Sequence, residues 1–555
     1  MPAFAELDNL IESEMERAHA PGLAIALVRG DEIAWSQGYG YADLNAKTPF
    51  TRETRFSAQS VAKPVIATGL MQWRERGRFQ LDGPVSQYLA PLDLRNAWEE
   101  TEPVTVRHLL THSAGLPVEQ GVASPEEGGP ATLEEFVALV AKTVRPPGDE
   151  IVYSNFGYDT AGYLIERFSG DLCPDYVREH VLEPLEMRSS CFGSPPEGVA
   201  PARPYFWSVI DETHHEGRHD YEVGPTFRPT WGLLSTVEDL GRFLIAHMNG
   251  GEYRGQRILR AESVAEMHRV HARVSPSGGM GLGFRVESRE GRTLICHGGD
   301  GVGATIFVGA YPDEKVGVAL MLNLGRAYSA RSVIGDAALR LLLGESLEDE
   351  AIAGGAGPVH FTGRYRSNFW GHDAIVRGES GVVTVVVDDS PGHLSRLDPA
   401  GEGVFRAVGG FFAGAELTFE ADDEDNVASF SGGLYPWRFD RTGDVPPPVQ
   451  VDESADARGR WEGTLVSPYG PLPAVLVVSD SLSATVSALS AQDVPLRDFD
   501  VDQGRIEGWF DMAAPGVGET RVLLRLVVAG GRLQGKAYAR GPFGEIAMPM
   551  ELERE

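Results

Sequence analysis

The stretch Ser60-Val61-Ala62-Lys63 follows a strand-like segment that ends at Phe56 and opens a helical run, residues 61–76. Positions three apart share one face of a helix, so the spacing predicts that the Lys63 amine reaches the Ser60 hydroxyl. A serine at the start of a helix also brings its own backbone N–H beside a carbonyl that it attacks. The stretch therefore predicts a nucleophilic serine with a lysine base.

Lysine is rare in this chain, and that rarity bears on the role of Lys63. The sequence holds five lysines against 44 arginines. Arginine stays protonated and cannot act as a base, whereas a desolvated lysine can lose its proton and activate a hydroxyl. A plain surface role for Lys63 is the alternative, and the retention of a lysine in so arginine-rich a chain argues against it.

A second group, Tyr153-Ser154-Asn155, follows an apolar pair and precedes a helical run at residues 158–168. A phenol and an amide two residues apart on a short turn point the same way. Tyr153 could then pass a proton while Asn155 holds a substrate carbonyl or the lysine. Taken alone, a packed tyrosine is the simpler interpretation.

A third group, His297-Gly298-Gly299, follows a predicted strand at residues 293–296. Glycines next to a strand edge permit close approach of a ligand, and the N–H of Asp300 could form the second half of an oxyanion hole. A solitary histidine on a strand is more often structural. Cys296 is predicted to be a buried strand residue and not a nucleophile.

These three groups, in this order and at these separations, resemble the serine β-lactamase and penicillin-binding-protein superfamily. The match runs through roughly residues 5–345, and it implies an α+β fold: a β-lactamase-like catalytic domain whose antiparallel sheet is flanked by helices, plus a helical subdomain. Further stretches are similar to the class C branch of the superfamily: VRHLLTHSAGLP at 106–117, EPLEM at 183–187 and GLLST at 232–236.

The resemblance implies a role for each site residue. Ser60 is the implied nucleophile, and Lys63 and Tyr153 share the general-base and general-acid work. Asn155 positions the substrate, and His297 assists binding or orientation. No metal and no cofactor is expected. The remaining members of the predicted substrate-binding set are Gly298, Gly299 and Asp300.

His297 stands where β-lactamases usually have a lysine, and two β domains follow the catalytic domain. Both departures resemble the D-stereospecific aminopeptidases of the superfamily, whose catalytic domain precedes two antiparallel barrels. A histidine is mostly neutral near pH 7 and lacks the permanent charge that a lysine offers a substrate carboxylate. We therefore expect neutral or amine-bearing substrates in place of β-lactams, with small amides or short peptides bearing a D-residue at a free N-terminus in first place.

Two other functions stay open from the sequence. The motif does not separate an amide from an ester leaving group, so a carboxylesterase or acyl transferase that uses the same serine is the alternative. A non-catalytic ligand-binding protein with a relic catalytic domain is a less favoured third interpretation, because Lys63 is retained.

The character of the sequence changes after Gly354-Gly355, where long helical periods give way to short apolar alternations. Gly363-Arg364-Tyr365 recurs as Gly459-Arg460-Trp461, and a stiff Pro-Pro-Pro spacer lies between the two copies at 446–448. The repeat predicts two related small antiparallel β-barrels, lipocalin-like in size, although a chance match is the alternative. The expected domains are residues 1–350, 358–444 and 455–555.

Local patterns predict several elements of the catalytic domain. An amphipathic helix is expected at residues 4–19, an alternating hairpin at 22–33 and a strand at 316–322. Thr132 and Glu135 form a capping box at the start of one helix. The last helix, residues 329–343, should stop at Gly344.

Composition excludes several function classes. The chain has 555 residues and a net charge of −31, which works against affinity for nucleic acid phosphates or anionic lipid. No apolar run has the length of a signal peptide or a membrane span, so we expect a cytoplasmic protein. Three cysteines provide no disulfide framework. The expected partners are a small-molecule or short-peptide substrate, with no nucleic acid and no membrane, and a homodimer is left open.

Two polar clusters contain residue types that bind metals, but we predict no metal site at either. His215 and His219 have the four-residue spacing of a metal pair, but no helical period surrounds them, so a solvated loop is predicted for residues 211–220. The acidic residues between 420 and 425 do not follow the order of a calcium loop and are predicted to form a hairpin tip.

The C-terminal barrels need a reason to be present. In the D-aminopeptidases that the chain resembles, a loop of the terminal barrel reaches toward the active site. The Gly- and Pro-rich segments 467–473 and 513–518 are the candidates for such a loop here. A purely structural or oligomeric role of the barrels is the alternative.

Overall fold

The computed structural model describes most of the chain. The described residues are 2–117, 129–208, 211–217, 219, 228–301, 303–347, 361–367, 373–379, 382–387, 394–401, 403–408, 410–421, 427–432, 438–444, 451–452, 454–467, 470–481, 483–488, 491–514, 518–541 and 544–555.

The catalytic part of the chain alternates helices and strands. Its helices are α1 (Pro2–Ala18), α2 (Ala62–Glu75), α3 (Ser86–Leu89), α4 (Val106–Leu110), α5 (Leu133–Val140), α6 (Asn155–Ser169), α7 (Cys173–Val177), α8 (Arg228–Trp231), α9 (Val237–Met248), α10 (Ala261–Met267) and α11 (Tyr328–Leu343). Its strands are β1 (Gly22–Arg29), β2 (Glu32–Asp43), β3 (Thr48–Pro49), β4 (Phe56–Ser57), β5 (Cys191–Phe192), β6 (Tyr205–Ser208), β7 (Thr213–Glu216), β8 (Leu233–Ser235), β9 (Glu252–Tyr253), β10 (Gln256–Arg257), β11 (Ala272–Ser275), β12 (Gly278–Met280), β13 (Arg285–Arg289), β14 (Arg292–Gly301), β15 (Ala304–Tyr311) and β16 (Val316–Leu322).

One antiparallel sheet forms the centre of this part. Among the described residues it has nine strands in the order β11-β12-β13-β14-β15-β16-β1-β2-β3. The N-terminal strand β1 pairs with β16 in the register Leu23↔Leu322, so the two ends of the catalytic part meet in mid-sheet. The α+β architecture expected from the sequence is thus confirmed.

The alternation predicted for residues 22–33 is wrong for β1. Every residue from Gly22 to Val28 is buried. Strand β1 lies between β16 and β2, and helices α9 and α11 both contact it. A strand that is covered on both faces has no solvent side, so its sequence is apolar at successive positions.

The predicted helix ends are largely confirmed. Thr132 accepts a hydrogen bond from the Glu135 N–H while the Glu135 carboxylate accepts from the Thr132 N–H, which is the predicted capping box before α5. Helix α11 ends at Gly344, whose φ of +81° is a left-handed conformation that favours glycine. Strand β16 has the predicted bounds, and α1 differs from its prediction by two residues at one end and one at the other.

A closed barrel follows the catalytic part. Its strands, in the described residues, are β17 (Gly363–Ser367), β18 (Asp373–Glu379), β19 (Val382–Val387), β20 (Ser395–Gly401), β21 (Val404–Val408), β22 (Glu416–Ala421), β23 (Val427–Gly432) and β24 (Arg438–Gly443). Aromatic rings fill its interior: Phe430 stacks on Phe439 with ring centroids 4.6 Å apart, and Phe361 stacks on Phe419 at 4.8 Å.

A second β structure ends the chain. Its strands are β25 (Gly459–Ser467), β26 (Gly470–Val478), β27 (Ala484–Ala488), β28 (Ala491–Pro495), β29 (Arg497–Asp502), β30 (Arg505–Ala514), β31 (Gly518–Ala529), β32 (Arg532–Gly541) and β33 (Gly544–Arg554). Among the described residues they form one sheet in the order β28-β27-β26-β25-β33-β32-β31-β30-β29. Because β28 also contacts β30, the sheet curls into a nearly closed barrel.

The sequence repeat has a structural counterpart. Tyr365 of the first copy donates its hydroxyl proton to the carbonyl of Phe361 at 2.7 Å, and Trp461 of the second donates its indole N–H to the carbonyl of Ala457 at 2.8 Å. Both rings are buried at the start of their barrels, and both bond four residues back along the chain. A buried aromatic residue at the same place in each barrel supports a common origin of the two barrels. The glycine pair at 354–355 and the proline spacer at 446–448 lie outside the described residues.

The chain divides into two compact units. The first comprises Met1–Pro204 and Arg218–Val445, and so holds the catalytic part together with the first barrel. The second comprises Tyr205–Gly217 and Pro446–Glu555. The hairpin β6–β7 therefore belongs with the terminal barrel, and β6 contacts β33. The predicted domain limits remain a prediction.

Within the described part of the chain, no helix is both long enough and apolar enough to cross a membrane.

A chain of buried histidines lies behind helix α2. His247 is 2% exposed, with its Nε2 at 3.1 Å from Thr68 Oγ1 and its Nδ1 at 3.1 Å from His268 Nε2. Thr68 donates its own proton to the carbonyl of Pro64, so it accepts from His247, which in turn accepts from His268. Burial lowers the pKa of His247 well below its usual value and that of His268 to about 3.

Acid should destabilise the protein through these histidines. An unfolded histidine has a pKa of about 6.5, so the unfolded chain binds more protons than the folded one. The free energy of unfolding then falls as the pH drops from about 6.5 toward about 3, by ~1.4 kcal/mol per pH unit for each such group. In His247→Gln, the loss of Tm between neutral and acidic pH should be smaller than in the wild type. The exposed control His19→Gln should match the wild type, and equal pH dependence of all three proteins would contradict this account.

Candidate active site

Ser60 lies in a tight turn that precedes a regular helix. The 3-10 segment Gln59–Val61 leads into α2, and Ser60 is 9% exposed. Gln59 has a φ of +52°, which is uncommon for a residue with a side chain and is typical of functional sites. Its side-chain amide donates to Ser57 Oγ at 2.9 Å. These contacts fix the backbone on which Ser60 stands.

Lys63 lies one turn later and is fully buried. Its Nζ donates to Ser60 Oγ at 2.8 Å and to the carbonyl of Thr230 at 3.3 Å. The same amine is 4.9 Å from the ring centre of Tyr153 and 5.9 Å from that of Tyr158. The serine and lysine therefore lie in direct contact, and a neutral amine at this distance can take the hydroxyl proton.

Tyr153 and Asn155 flank the start of helix α6, and the predicted short turn is wrong. Ser154 between them is extended, with φ −136° and ψ 127°, and Asn155 is the first residue of the helix. Tyr153 is 7% exposed and Asn155 8%. The Tyr153 ring lies 6.5 Å from the ring of His297, so the structure brings Lys63, Tyr153 and His297 together.

The His297-Gly298-Gly299 group lies inside a strand, and not beyond its end as predicted. Strand β14 continues to Gly301, with His297 paired to Val308 on β15. The strand extends this far because β15 provides a partner for each of these residues, which overrides the low strand preference of glycine.

His297 is a neutral side chain. It is 4% exposed, and its Nδ1 donates to the carbonyl of Gly298 at 2.6 Å. Burial, followed by the charges of Lys63 and Arg331, lowers its pKa to about 3. The neutral ring with a proton on Nδ1 carries a lone pair on Nε2, so it can accept a hydrogen bond but offers no positive charge.

The glycines of β14 allow this strand to lie against the serine turn. A Cβ on Gly299 would come within 2.8 Å of the Ala58 carbonyl oxygen and of Gln59 Cβ, and a Cβ on Gly301 would collide with the Gln59 side chain. Only glycine permits so close an approach. The approach places β14 next to the residues that lead into Ser60.

Asp300 takes part in a buried ion pair. Its carboxylate lies 2.6 Å from Nη1 of Arg331 on α11, and the two side chains are 6% and 2% exposed. Removing one partner of such a pair leaves an uncompensated buried charge. The pair anchors the end of β14 to α11. The oxyanion role of the Asp300 N–H remains a prediction.

Cys296 behaves as expected from the sequence. It is fully buried in β14, and burial above all raises the pKa of its thiol to about 12. A thiol of that pKa stays protonated at neutral pH and is a poor nucleophile.

Within the polar cluster predicted to be a loop, Thr213–Glu216 form strand β7, which pairs with β6. His215 lies in β7, and its Nε2 is 2.9 Å from both carboxylate oxygens of Asp211. Across the described residues no group of histidine, cysteine and carboxylate side chains could hold a metal ion. Residues 218 and 220 and the tip at 422–426 lie outside the described residues.

The first barrel shares a buried cluster with Tyr153. Tyr153 and Tyr328 belong to the same buried cluster as the barrel residues Phe411 and Phe412. Tyr328 meets Phe411 edge to face, with ring centroids 5.3 Å apart. The two segments of the terminal barrel that were predicted to reach toward the active site belong to the other unit. Their central residues 468–469 and 515–517 lie outside the described part.

Four residues near the site were not found by sequence reasoning. His112 lies in the stretch 106–117 that carries the resemblance, which was the available signal. Tyr158 and Thr230 meet Lys63 through the tertiary fold. Arg331 gave no signal, since arginine is the common basic residue of this chain.

A serine hydroxyl in contact with a buried lysine amine, on a sheet flanked by helices, is an arrangement that can support nucleophilic attack by the serine. The chain belongs to the Beta-lactamase family, whose model matches residues 7–344.

Several known proteins are similar to parts of this chain in sequence or structure. Protein flp of Staphylococcus aureus (strain MW2) is 21% identical over 345 residues, which are 59% of this chain and 64% of flp, so the match spans less than two thirds of that relative. The unguisins hydrolase ungD' of Aspergillus campestris is 30% identical over 197 residues, 34% of this chain and 36% of that protein. The octameric penicillin-binding protein homologue of Pyrococcus abyssi matches with a TM-score of 0.55 and 25% identity, over 79% of this chain and 99% of its own.

Lys63→Arg should be nearly as damaging as Lys63→Ala, because it keeps the charge and removes the capacity to accept a proton. We expect kcat to fall by about two to four powers of ten in both variants. Steady-state kinetics with an activated amide or ester would measure this. If Arg restored most of the rate, Lys63 would act through its charge, and Tyr153 would be the only base.

Proposed function

We propose that the protein is a serine hydrolase that works through an acyl-enzyme on Ser60 and cleaves small amides or short peptides. The observation that carries the proposal is the 2.8 Å contact between Lys63 Nζ and Ser60 Oγ in a buried site. The family and the name of the relative ungD', a hydrolase, support hydrolysis. A D-residue at a free N-terminus is the substrate feature implied by the resemblance to D-aminopeptidases.

Acylation begins with a proton transfer from Ser60 Oγ to neutral Lys63. The oxygen attacks the substrate carbonyl carbon, and the backbone N–H groups of Ser60 and Asp300 stabilise the resulting oxyanion. Tyr153, beside the lysine, relays the proton to the departing amine as the C–N bond breaks. Asn155 holds the substrate carbonyl before the attack.

Deacylation reverses these roles with water as the nucleophile. Lys63 and Tyr153 take a proton from water, the ester bond to Ser60 breaks, and the serine recovers its proton. The product is a carboxylic acid.

The charge of the site favours substrates without a carboxylate next to the reacting bond. The low pKa of His297 keeps its ring neutral at physiological pH, so it cannot form an ion pair there. Its Nε2 lone pair can instead accept a hydrogen bond from a substrate N–H or from an ammonium group. This supports amine-bearing or neutral substrates over β-lactams.

The alternative is a carboxylesterase or acyl transferase with the same acyl-enzyme. The buried position of Ser60, Lys63 and Tyr153 limits water, and a dry site gives an amine or alcohol acceptor time to compete with hydrolysis. Rates on D- and L-aminoacyl nitroanilides against nitrophenyl esters, with and without added amine, distinguish these activities.

The assembly state belongs to the same proposal. The Pyrococcus relative is an octamer by name, which supports an oligomer here without favouring the homodimer in particular. Light scattering after size exclusion would measure the mass.

Ser60→Ala should lower kcat by several powers of ten, because covalent catalysis loses its attacking atom. Fluorophosphonate labelling, followed by peptide mapping, should mark Ser60 in the wild type and nothing in the variant. Ser190→Ala is a matched control, since Ser190 has the same 9% exposure but bonds to Asp239. Full activity in folded Ser60→Ala would end the serine-hydrolase proposal.

The first barrel should limit substrate size. Because Phe411 packs on Tyr328 in the cluster that includes Tyr153, Phe411→Leu should open space beside the catalytic tyrosine. We expect kcat/KM for bulky or N-acetylated substrates to rise several-fold relative to small free-amine substrates. Phe419→Leu removes from the same barrel a ring that stacks on Phe361, and it should leave this ratio unchanged. Equal ratios in both variants would assign the barrel a structural role.

A further inference from the structure

His112 is a buried histidine in an unusual backbone conformation. It follows helix α4, it is 3% exposed, and its φ is +59°. Residues with a side chain rarely occupy this region, although asparagine and histidine do so more readily than most. Such a conformation persists where the surrounding structure requires it, and it marks functional sites.

Three contacts connect this one residue to the segment that carries Tyr153. The His112 carbonyl accepts a hydrogen bond from the Val152 N–H at 2.8 Å. Its Nδ1 accepts one from the Ser154 N–H at 3.2 Å. The imidazole itself stacks on the Tyr153 ring, with centroids 4.2 Å apart and planes 27° from parallel. His112 thus contacts the face of the Tyr153 ring and the backbone of the residues on both sides of Tyr153.

The Nδ1 contact is the part that packing alone does not explain. Ser154 is the N-cap of α6, and no side chain caps that end of the helix. Its N–H therefore needs an acceptor from elsewhere, and His112 supplies it. The carbonyl oxygen of Ser154 also lies 3.2 Å from Nδ1, so this one nitrogen meets both polar groups of the Ser154 backbone, while Nε2 is buried without a hydrogen-bond partner among the described residues.

The charge state of the ring fits the same role. Burial above all, followed by the charge of Lys63, lowers the pKa of His112 well below its usual value. A neutral ring adds no second cation next to the amine of Lys63. The Tyr153 ring thus lies between the amine of Lys63, 4.9 Å from its centre, and an imidazole that carries no charge.

We propose that His112 is a positioning residue for Tyr153, and that its Nδ1 contact with the Ser154 backbone sets the tyrosine hydroxyl for proton transfer. The proposal rests on the proposed function, because it assumes that Tyr153 moves a proton during acylation. Misplacement by about 1 Å can cost ~100-fold in rate, so a hydrogen bond that fixes the backbone beside Tyr153 has a measurable effect.

The test compares variants that differ in the polar contact. His112→Asn keeps a hydrogen-bonding group at the position of Nδ1 and tolerates a positive φ, and His112→Gly tolerates the same φ without any side chain. His112→Phe keeps a ring and lacks the acceptor. We expect kcat to fall about 10- to 100-fold in Gly and Phe, with KM within about twofold of wild type, and the Asn variant to recover most of the lost rate.

Other measurements separate this proposal from general damage. His180 also lies against a tyrosine, with its ring 4.3 Å from that of Tyr176, so His180→Phe is the matched control and should keep wild-type kcat. Circular dichroism and Tm identify any variant that fails to fold. If the His112→Gly protein does not fold, the difference in kcat between His112→Asn and His112→Phe tests the positioning role.

Two outcomes have different meanings. If wild-type protein is labelled at Ser60 and turns over substrate, but folded Asn is no faster than folded Gly or Phe, the positioning role of His112 is overturned and the serine-hydrolase proposal stands. If wild-type protein is neither labelled at Ser60 nor active on any amide or ester, the proposed function fails, and with it the premise for His112.

Discussion

The contact between the Lys63 amine and the Ser60 hydroxyl is the constraint on which the rest of the catalytic part depends. An amine that is fully buried must receive hydrogen bonds and ring faces in place of water, or the fold loses more than it gains. Among the described residues, those groups come from three separate places in the chain: the Ser60 turn, the carbonyl of Thr230, and the rings of Tyr153 and Tyr158 at the start of α6. The packing of helices α2, α6 and α8 thus serves to surround one nitrogen atom.

Sequence reasoning succeeded where the determinants are local. The spacing of Ser60 and Lys63 along a helix, the capping box at Thr132 and the glycine stop at Gly344 depend on neighbours within one turn, and the structure has all three features. Sequence reasoning failed where the structure depends on contacts between segments that are far apart in the sequence. Three features depend on residues far away in the chain, and a local sequence pattern does not reveal them. They are the burial of β1 on both faces, the continuation of β14 through its glycines and the ion pair of Asp300 with Arg331.

The two barrels show how a repeated sequence can serve two purposes. Tyr365 and Trp461 occupy corresponding positions and make the same kind of hydrogen bond to a carbonyl four residues earlier. The first copy nevertheless shares a buried cluster with Tyr153, whereas the second forms a unit with the hairpin of residues 205–217. The residues that fix a barrel are thus retained, while its outer loops are free to acquire different contacts.

The hairpin β6–β7 also has a consequence for how the chain matures. Strand β33, which contacts the hairpin within the second unit, is synthesised ~330 residues after the hairpin itself. During that interval the hairpin lacks the contact with β33 that it has in the folded protein, where Tyr205 is 3% exposed. Synthesis therefore passes through a long stage in which an aromatic hairpin is available to other chains, and a chaperone or slow translation at the C-terminal end would influence the yield of native protein.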